Sequence, residues 1–212
     1  MRKRPAMGIT GVVVGLAVLV AAAWFVQTTA ALRLDRSAIE ALLPLRGTAV
    51  DGFFIWLSAV IRPVTLAPVS LIIALLLWWK LRRLAFLVPL SFAVSIAMTY
   101  AVKWVVGKPR PGQGLSLVDA HDAAFPSAHV AGIASTGMAL WSVLAPILRR
   151  TAKKLLRIAV VALIGVMALA RVWVGAHWLT DILGGLLVAV IGLSIAMLVL
   201  RFLSRQRRLV AL

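Results

Sequence analysis

Apolar residues in this chain run in long stretches that short polar segments separate. The first uncharged stretch covers residues 8–26, close to the roughly 20 residues that a helix needs to cross a bilayer. Four more stretches follow along the chain. They are residues 84–102, residues 127–148, a segment that ends near residue 170, and residues 178–200. Together with the stretch at residues 53–79, they predict an all-α integral membrane protein with about six transmembrane helices.

The stretch at residues 53–79 is longer than one membrane crossing and contains Arg62 followed by Pro63. Because proline interrupts helices, we expect a first segment to about residue 60, a break, and then a span at residues 64–79. Arg62 is interpreted as a structural or interfacial charge, with substrate contact as the alternative.

A mixed segment at residues 32–51 connects the first two apolar stretches. Ile39, Leu42 and Leu43 fall at helical spacing beside charged side chains, which predicts either a short interfacial helix or a plain loop. The first apolar stretch could also be a signal peptide, with a cleavage site at residues 28–30. Its length favours an uncleaved membrane anchor.

Composition supports the membrane assignment, since the 212 residues are 63% hydrophobic and the mean hydropathy is +1.04. The formal net charge is +17, but the basic residues form short clusters between apolar stretches, where lipid headgroups are the nearer anions. We therefore predict no nucleic-acid partner. The chain has no cysteine, which excludes disulfides and thiolate metal sites.

The basic clusters also predict an orientation in the membrane. They occupy residues 2–4, 80–83, 149–157 and 201–208, and with six spans and a cytoplasmic N-terminus all four lie on the cytoplasmic side. All acidic residues then lie on the opposite side. We expect a multi-pass protein of the inner (cytoplasmic) membrane with both termini cytoplasmic.

Three polar motifs interrupt the apolar pattern, at residues 103–111 (KWVVGKPRP), 126–129 (PSAH) and 171–181 (RVWVGAHWLTD). The predicted orientation brings all three to the extracytoplasmic side, where they can form one site. Their cations, Lys103, Arg110 and Arg171, suit a multiply charged anion such as phosphate, whereas each alone could be an interfacial charge.

The second and third motifs add groups with chemical roles. Ser127 precedes an apolar stretch and is predicted at the N-cap of a helix, whose free amides favour a phosphate, with His129 just beyond. His177 and Asp181 are four residues apart, so on a helix they share one face. The carboxylate would fix the imidazole tautomer and leave the other nitrogen free as a nucleophile, although a plain helical contact is the alternative.

The pattern K-x6-R-P, P-S-x-H and R-x5-H-x3-D resembles the signature of the type 2 phosphatidic acid phosphatase superfamily, which also includes vanadium haloperoxidases and glucose-6-phosphatase. The match covers residues 103–181. Ala128 stands where the family usually has glycine, and Ala170 stands where serine often precedes the arginine. Neither difference removes a group that does chemistry.

The resemblance implies that His177 attacks phosphorus to give a phosphohistidine, with Asp181 orienting it. It implies that His129 protonates the leaving oxygen and later activates water. The phosphate-binding set it implies comprises Lys103, Arg110, Ser127, Ala128 and Arg171, with Lys108 ranked below them because it lies off the pattern. No metal and no cofactor are expected.

We therefore predict that residues 1–212 form a single transmembrane phosphatase domain that hydrolyses a lipid phosphate. The leading substrate is undecaprenyl (polyprenyl) diphosphate, and the alternative is a broad phosphatidic acid or phosphatidylglycerophosphate phosphatase. A lipid phosphotransferase and a non-catalytic lipid-binding membrane protein are the alternatives of another class. The sequence does not predict the oligomeric state.

Overall fold

The computed structural model describes residues 5–112 and 114–210, which form eight α-helices, two short 3-10 helices and no strand. The α-helices are α1 (Pro5–Phe25), α2 (Thr29–Glu40), α3 (Ala49–Val60), α4 (Pro63–Leu81), α5 (Leu87–Val106), α6 (Ala128–Leu144), α7 (Arg150–Trp173) and α8 (Leu179–Val210). The 3-10 helices are Leu43–Leu45 and Arg82–Phe86.

Four stretches in this part of the chain are long and apolar enough to cross a membrane, and they are Gly8–Phe25, Pro63–Val106, Arg150–Trp173 and Leu179–Ser204. The second has 44 residues and contains both α4 and α5. Helix α6 has 17 residues, somewhat short of the roughly 20 that a full crossing needs. Large apolar side chains such as Leu76 and Trp79 remain exposed on α4, as expected for a surface that faces lipid. The predicted all-α membrane class is confirmed.

Helices α5, α6 and α8 pack against one another and form the centre of the bundle. Helix α1 packs on α8, α4 on α5, and α7 on α6. Glycines on α8 permit close contact between helices: a Cβ atom at Gly185 would lie 2.7 Å from the carbonyl oxygen of Ser127. The start of α8 therefore lies directly against the start of α6.

The connector between α1 and α4 differs in part from the expected arrangement. Helix α2 begins earlier than predicted, at Thr29, and ends at Glu40, so that Leu42 and Leu43 lie beyond it. Ile39 is fully buried, and so is the carboxyl side chain of Asp35. The segment thus contains a helix rather than the plain loop that the sequence also allowed, and this helix buries a carboxyl group together with an apolar side chain. The break at Arg62 and Pro63 is confirmed, because α3 ends at Val60 and α4 begins at Pro63.

Candidate active site

Backbone hydrogen bonds bring the three polar motifs together at one end of the bundle. The amide of Ser127 donates to the carbonyl of Asp181 at 3.0 Å, which joins the second motif to the third. The amide of Ala124 donates to the carbonyl of Lys108 at 2.8 Å, which joins the first motif to the loop before the second. The motifs therefore share one site through contacts that do not depend on a bound ligand.

His177 lies in the turn between α7 and α8, where Gly175 adopts a φ of +65°. Its Nδ1 lies 3.3 Å from Oδ2 of Asp181, in the first turn of α8. The same oxygen accepts the Trp178 amide at 2.8 Å. The sequence predicts this pair on one helix, but His177 precedes α8, and the turn rather than a helical face aligns the two side chains. Nε2 of His177 therefore faces away from the carboxylate.

His177 is buried, and burial lowers its pKa well below the ordinary value of 6.5. The positive charges of Arg171 and Arg110 lower this pKa further. The imidazole is therefore neutral at physiological pH, which is the form that can act as a nucleophile.

Two arginines of the predicted set lie around His177. Nη1 of Arg110 is 3.2 Å from Nε2 of His177 and also donates to the carbonyl of Ala176. Arg171, in the last turn of α7, is 5% exposed, and its Nε has no hydrogen-bond partner among the described residues. A buried guanidinium with an unused donor is suited to an anionic oxygen.

The start of α6 provides a second set of unused donors. Ser127 is the N-cap residue, as the sequence predicts, and its buried Oγ has no partner in the described part of the chain. Ala128 is buried beside it, and the amides of a first helical turn lack intrahelical acceptors. Nε2 of His129 lies 3.2 Å from the carbonyl oxygen of Ser58 on α3, and the positive charge of Arg171 is near enough to act on His129.

Lys103 and Arg110 both contact one loop carboxylate that lies outside the three motifs. Asp122 contacts Nζ of Lys103 at 3.0 Å and Nη2 of Arg110 at 2.5 Å. Burial raises the pKa of Asp122, but the hydrogen bond and charge of Lys103, together with the charge of Arg110, outweigh burial and hold the pKa at about 2. The carboxylate is therefore ionised at neutral pH and occupies donors that a phosphate would use.

Lys108 and Asp35 contact the third motif, although the motif pattern ranked Lys108 below the other cations and did not include Asp35. Nζ of Lys108 lies 3.0 Å from Oδ1 of Asp181 and 2.7 Å from Oδ2 of Asp35. A carboxylate in so apolar a sequence is the feature that could have drawn attention to Asp35. Among the described residues, no group of three or more His, Asp or Glu side chains has the arrangement of a metal site.

Comparisons with known proteins agree with this geometry. The model of the PAP2 superfamily matches residues 84–208. The crystal structure of the first transmembrane PAP2 type phosphatidylglycerolphosphate phosphatase from Bacillus subtilis is similar, with a TM-score of 0.78 and 20% identity, over 88% of this chain and 94% of that one. The LpxE protein of Aquifex aeolicus is similar with a TM-score of 0.60 and 19% identity, over 77% of this chain and 94% of that one.

No curated protein sequence matches the chain. The family match covers more than half of the residues and includes all three polar motifs. The predictions of a multi-pass membrane protein and of a phosphoric ester hydrolase of the lipid phosphatase kind are confirmed at the level of the family. The chain belongs to the PAP2 superfamily.

Proposed function

We propose that the chain hydrolyses a lipid phosphate through a phosphohistidine on His177. The observation that carries this proposal is the position of the His177 ring, with Nδ1 3.3 Å from Asp181 and Nε2 3.2 Å from Arg110. Asp181 holds the proton on Nδ1, so the lone pair of Nε2 faces the guanidinium of Arg110, to which an oxygen of the substrate phosphate would bind. A phosphate held there presents its phosphorus to the nucleophile.

Two steps complete the proposed reaction. Nε2 of His177 forms a bond to phosphorus while the bond to the leaving oxygen breaks. His129, whose imidazolium form the negative charge of a bound phosphate stabilises, gives its extra proton to that oxygen and becomes neutral. His129 then removes a proton from water, the water oxygen bonds to phosphorus, and the nitrogen–phosphorus bond breaks to release phosphate. Asp181 stabilises the positive charge that develops on the ring of His177.

The remaining proposed site residues stabilise negative charge on the non-bridging oxygens. These residues are Lys103, Arg110, Ser127, Ala128 and Arg171. Ser127 and Ala128 act through the start of α6, and Arg171 acts through its buried guanidinium. The fixed positive charges of Lys103, Arg110 and Arg171 supply the electrostatic stabilisation that metal ions supply in other phosphatases. We accordingly expect activity to persist in EDTA, and a loss that Mg²⁺ restores would contradict this mechanism.

A lipid tail on the substrate is supported by the apolar surface beside the site. The carbonyl of Ser58 on α3 contacts His129, and on the same short helix Phe53 and Trp56 are 49% and 57% exposed. Aromatic side chains of this kind are common at the membrane–water boundary. The proposed substrate therefore keeps its chain in the bilayer while its phosphate reaches the site from the membrane boundary.

The leading substrate remains a polyprenyl diphosphate such as undecaprenyl diphosphate, cleaved to the monophosphate on the extracytoplasmic side of the inner membrane. The distribution of basic clusters supports this orientation. Phosphatidylglycerophosphate is the second candidate, favoured by the similarity to the Bacillus subtilis structure. Transfer of the phosphate to a second lipid instead of water defines the phosphotransferase alternative, and lipid binding without turnover defines the non-catalytic one.

The test is phosphate release by the purified protein from polyprenyl diphosphate, phosphatidylglycerophosphate and phosphatidic acid. We expect release from at least one of them, with His177→Ala inactive but folded, as judged by its unfolding temperature in detergent. Activity of His177→Ala at the wild-type rate would contradict the phosphohistidine. Product formed only when a second lipid is added would indicate the phosphotransferase, and binding without product would indicate the non-catalytic alternative.

A further inference from the structure

A buried charged cluster lies behind the nucleophile, on the side of Asp181 that faces away from His177. Lys108 is 4% exposed, and its ammonium contacts Thr180 Oγ1 at 2.6 Å, Asp35 Oδ2 at 2.7 Å and Asp181 Oδ1 at 3.0 Å. A lysine ammonium has three N–H donors, and here each has an acceptor. The ammonium of Lys108, at the centre of the cluster, therefore uses all of its donors.

Asp35 lies on α2 and connects this helix to the cluster. It is 145 residues away from Thr180 in sequence. Its Oδ1 accepts the Thr180 amide at 2.9 Å, and its Oδ2 accepts the Thr180 hydroxyl at 2.8 Å. Asp35 is fully buried. The carboxylate thus holds the backbone and the side chain of the residue that immediately precedes Asp181 at the start of α8.

The two oxygens of Asp181 have different partners. Oδ2 faces Nδ1 of His177 and accepts the Trp178 amide, whereas Oδ1 accepts from Lys108. Contacts on both oxygens determine the rotation of the carboxylate and therefore the direction from which it meets the imidazole. From these contacts we infer that Lys108 and Asp35 are positioning residues for phosphohistidine formation and act through Asp181 on His177. The inference rests on the nucleophilic role proposed above for His177.

The charge arrangement explains why both residues are needed. Lys108 shares its positive charge between two carboxylates, so Asp181 is anchored without losing all of its negative charge. It can then still stabilise the cationic ring that forms when His177 attacks. Groups that orient metal-bound histidines from behind affect affinity or activity by roughly 10- to 100-fold when removed, and we expect an effect of this size here. Helix α2 thereby helps to position the nucleophile, although it carries none of the three motifs.

A purely structural role is the competing explanation, because Lys108 could serve only to neutralise Asp35. Removing one member of a buried ion pair leaves an unpaired charge and destabilises the fold, while removing both Lys108 and Asp35 keeps the net charge of the cluster at its wild-type value. The double variant Asp35→Asn with Lys108→Met therefore separates the two explanations. It deletes the ion pair and leaves Asp181 without its anchor.

The experiment measures kcat and KM for a lipid phosphate, the rate of phosphohistidine formation by rapid quench, and the unfolding temperature in detergent. The wild type is compared with Lys108→Met, Lys108→Arg, the double variant and His177→Ala, and Lys153→Met is the matched control at an exposed lysine on α7. We expect the double variant to unfold near the wild-type temperature but to show a kcat roughly 10- to 100-fold lower, with KM nearly unchanged. Lys108→Arg should recover part of the kcat that Lys108→Met loses.

The outcomes distinguish this inference from the function on which it rests. A double variant with wild-type kcat would overturn the positioning role and leave Lys108 as a structural partner of Asp35. A double variant that loses affinity for substrate while forming phosphohistidine at the normal maximal rate would overturn it as well. An active His177→Ala would refute the proposed function itself, whichever result Lys108 gives.

Discussion

Asp122 contacts Arg110 as a phosphate oxygen would, with Oδ1 of the carboxylate 2.5 Å from Nη2 of the guanidinium. Its other oxygen lies 3.0 Å from Nζ of Lys103. The loop between α5 and α6 therefore places an anion of the protein on two of the cations that we propose to hold substrate. Because the pKa of Asp122 is about 2, this anion is present throughout the physiological pH range.

Replacing Asp122 by asparagine should strengthen phosphate binding. The substitution removes the competing charge from Lys103 and Arg110, so we expect the inhibition constant for inorganic phosphate or orthovanadate to fall about tenfold, the effect of roughly one charged hydrogen bond. The measurement is inhibition of phosphate release. Asp119→Asn is the matched control, since Asp119 lies exposed in the same loop and makes no ion pair among the described residues. Weaker inhibition in Asp122→Asn would indicate that Asp122 orients the cations instead.

His129→Asn should slow lipid phosphate hydrolysis by roughly 100- to 10,000-fold, because the leaving oxygen would lose its proton donor. The loss should be much smaller for p-nitrophenyl phosphate, whose leaving group departs without a proton. Phosphohistidine should accumulate with that substrate, because His129 also activates the water that resolves it. An equal loss with both substrates would contradict the general-acid role. The contact between His129 and Ser58 is to a backbone oxygen, so Ser58→Ala serves as a control that preserves it.

The pH dependence of kcat/KM should reflect the lowered pKa of His177, which burial and the charges of Arg171 and Arg110 hold well below 6.5. Protonation destroys the nucleophile, so activity should decline as pH falls, but only below pH 6.5. An acid midpoint at or above this value would contradict the prediction. Fold stability should decline over the same acidic range, because the unfolded chain binds a proton on this histidine that the folded protein excludes. Unfolding temperatures measured at each pH separate the two effects.

Gly185→Ala should destabilise the contact between α6 and α8. The added Cβ would lie 2.7 Å from the Ser127 carbonyl oxygen and 3.2 Å from Cβ of Val130, so the helices must separate. We expect a cost of about 1–3 kcal/mol, which lowers the unfolding temperature by several degrees, together with reduced activity. Gly165→Ala is the control, because a Cβ there meets no atom within 4 Å. Equal stability of the two variants would contradict the packing argument.

The sequence alone determined the features that depend on local composition. Apolar stretches of membrane-spanning length specify where most of the long helices run, because burial of backbone groups in lipid requires helices. Proline at position 63 specifies the break between α3 and α4, and a serine before an apolar stretch specifies the start of α6. The three motifs specify the family and the groups that carry the proposed chemistry.

Only the tertiary structure decided which of the remaining charged groups join the site. Lys108 meets Asp35 and Asp181 because α2 packs against the start of α8, and no local pattern relates residues 73 positions apart. Asp122 reaches Arg110 through a loop whose course depends on contacts with the rest of the bundle. Helical periodicity predicts which residues share a face within one helix, but the partners of a buried charge depend on how separate helices pack, and that was decided by the fold as a whole.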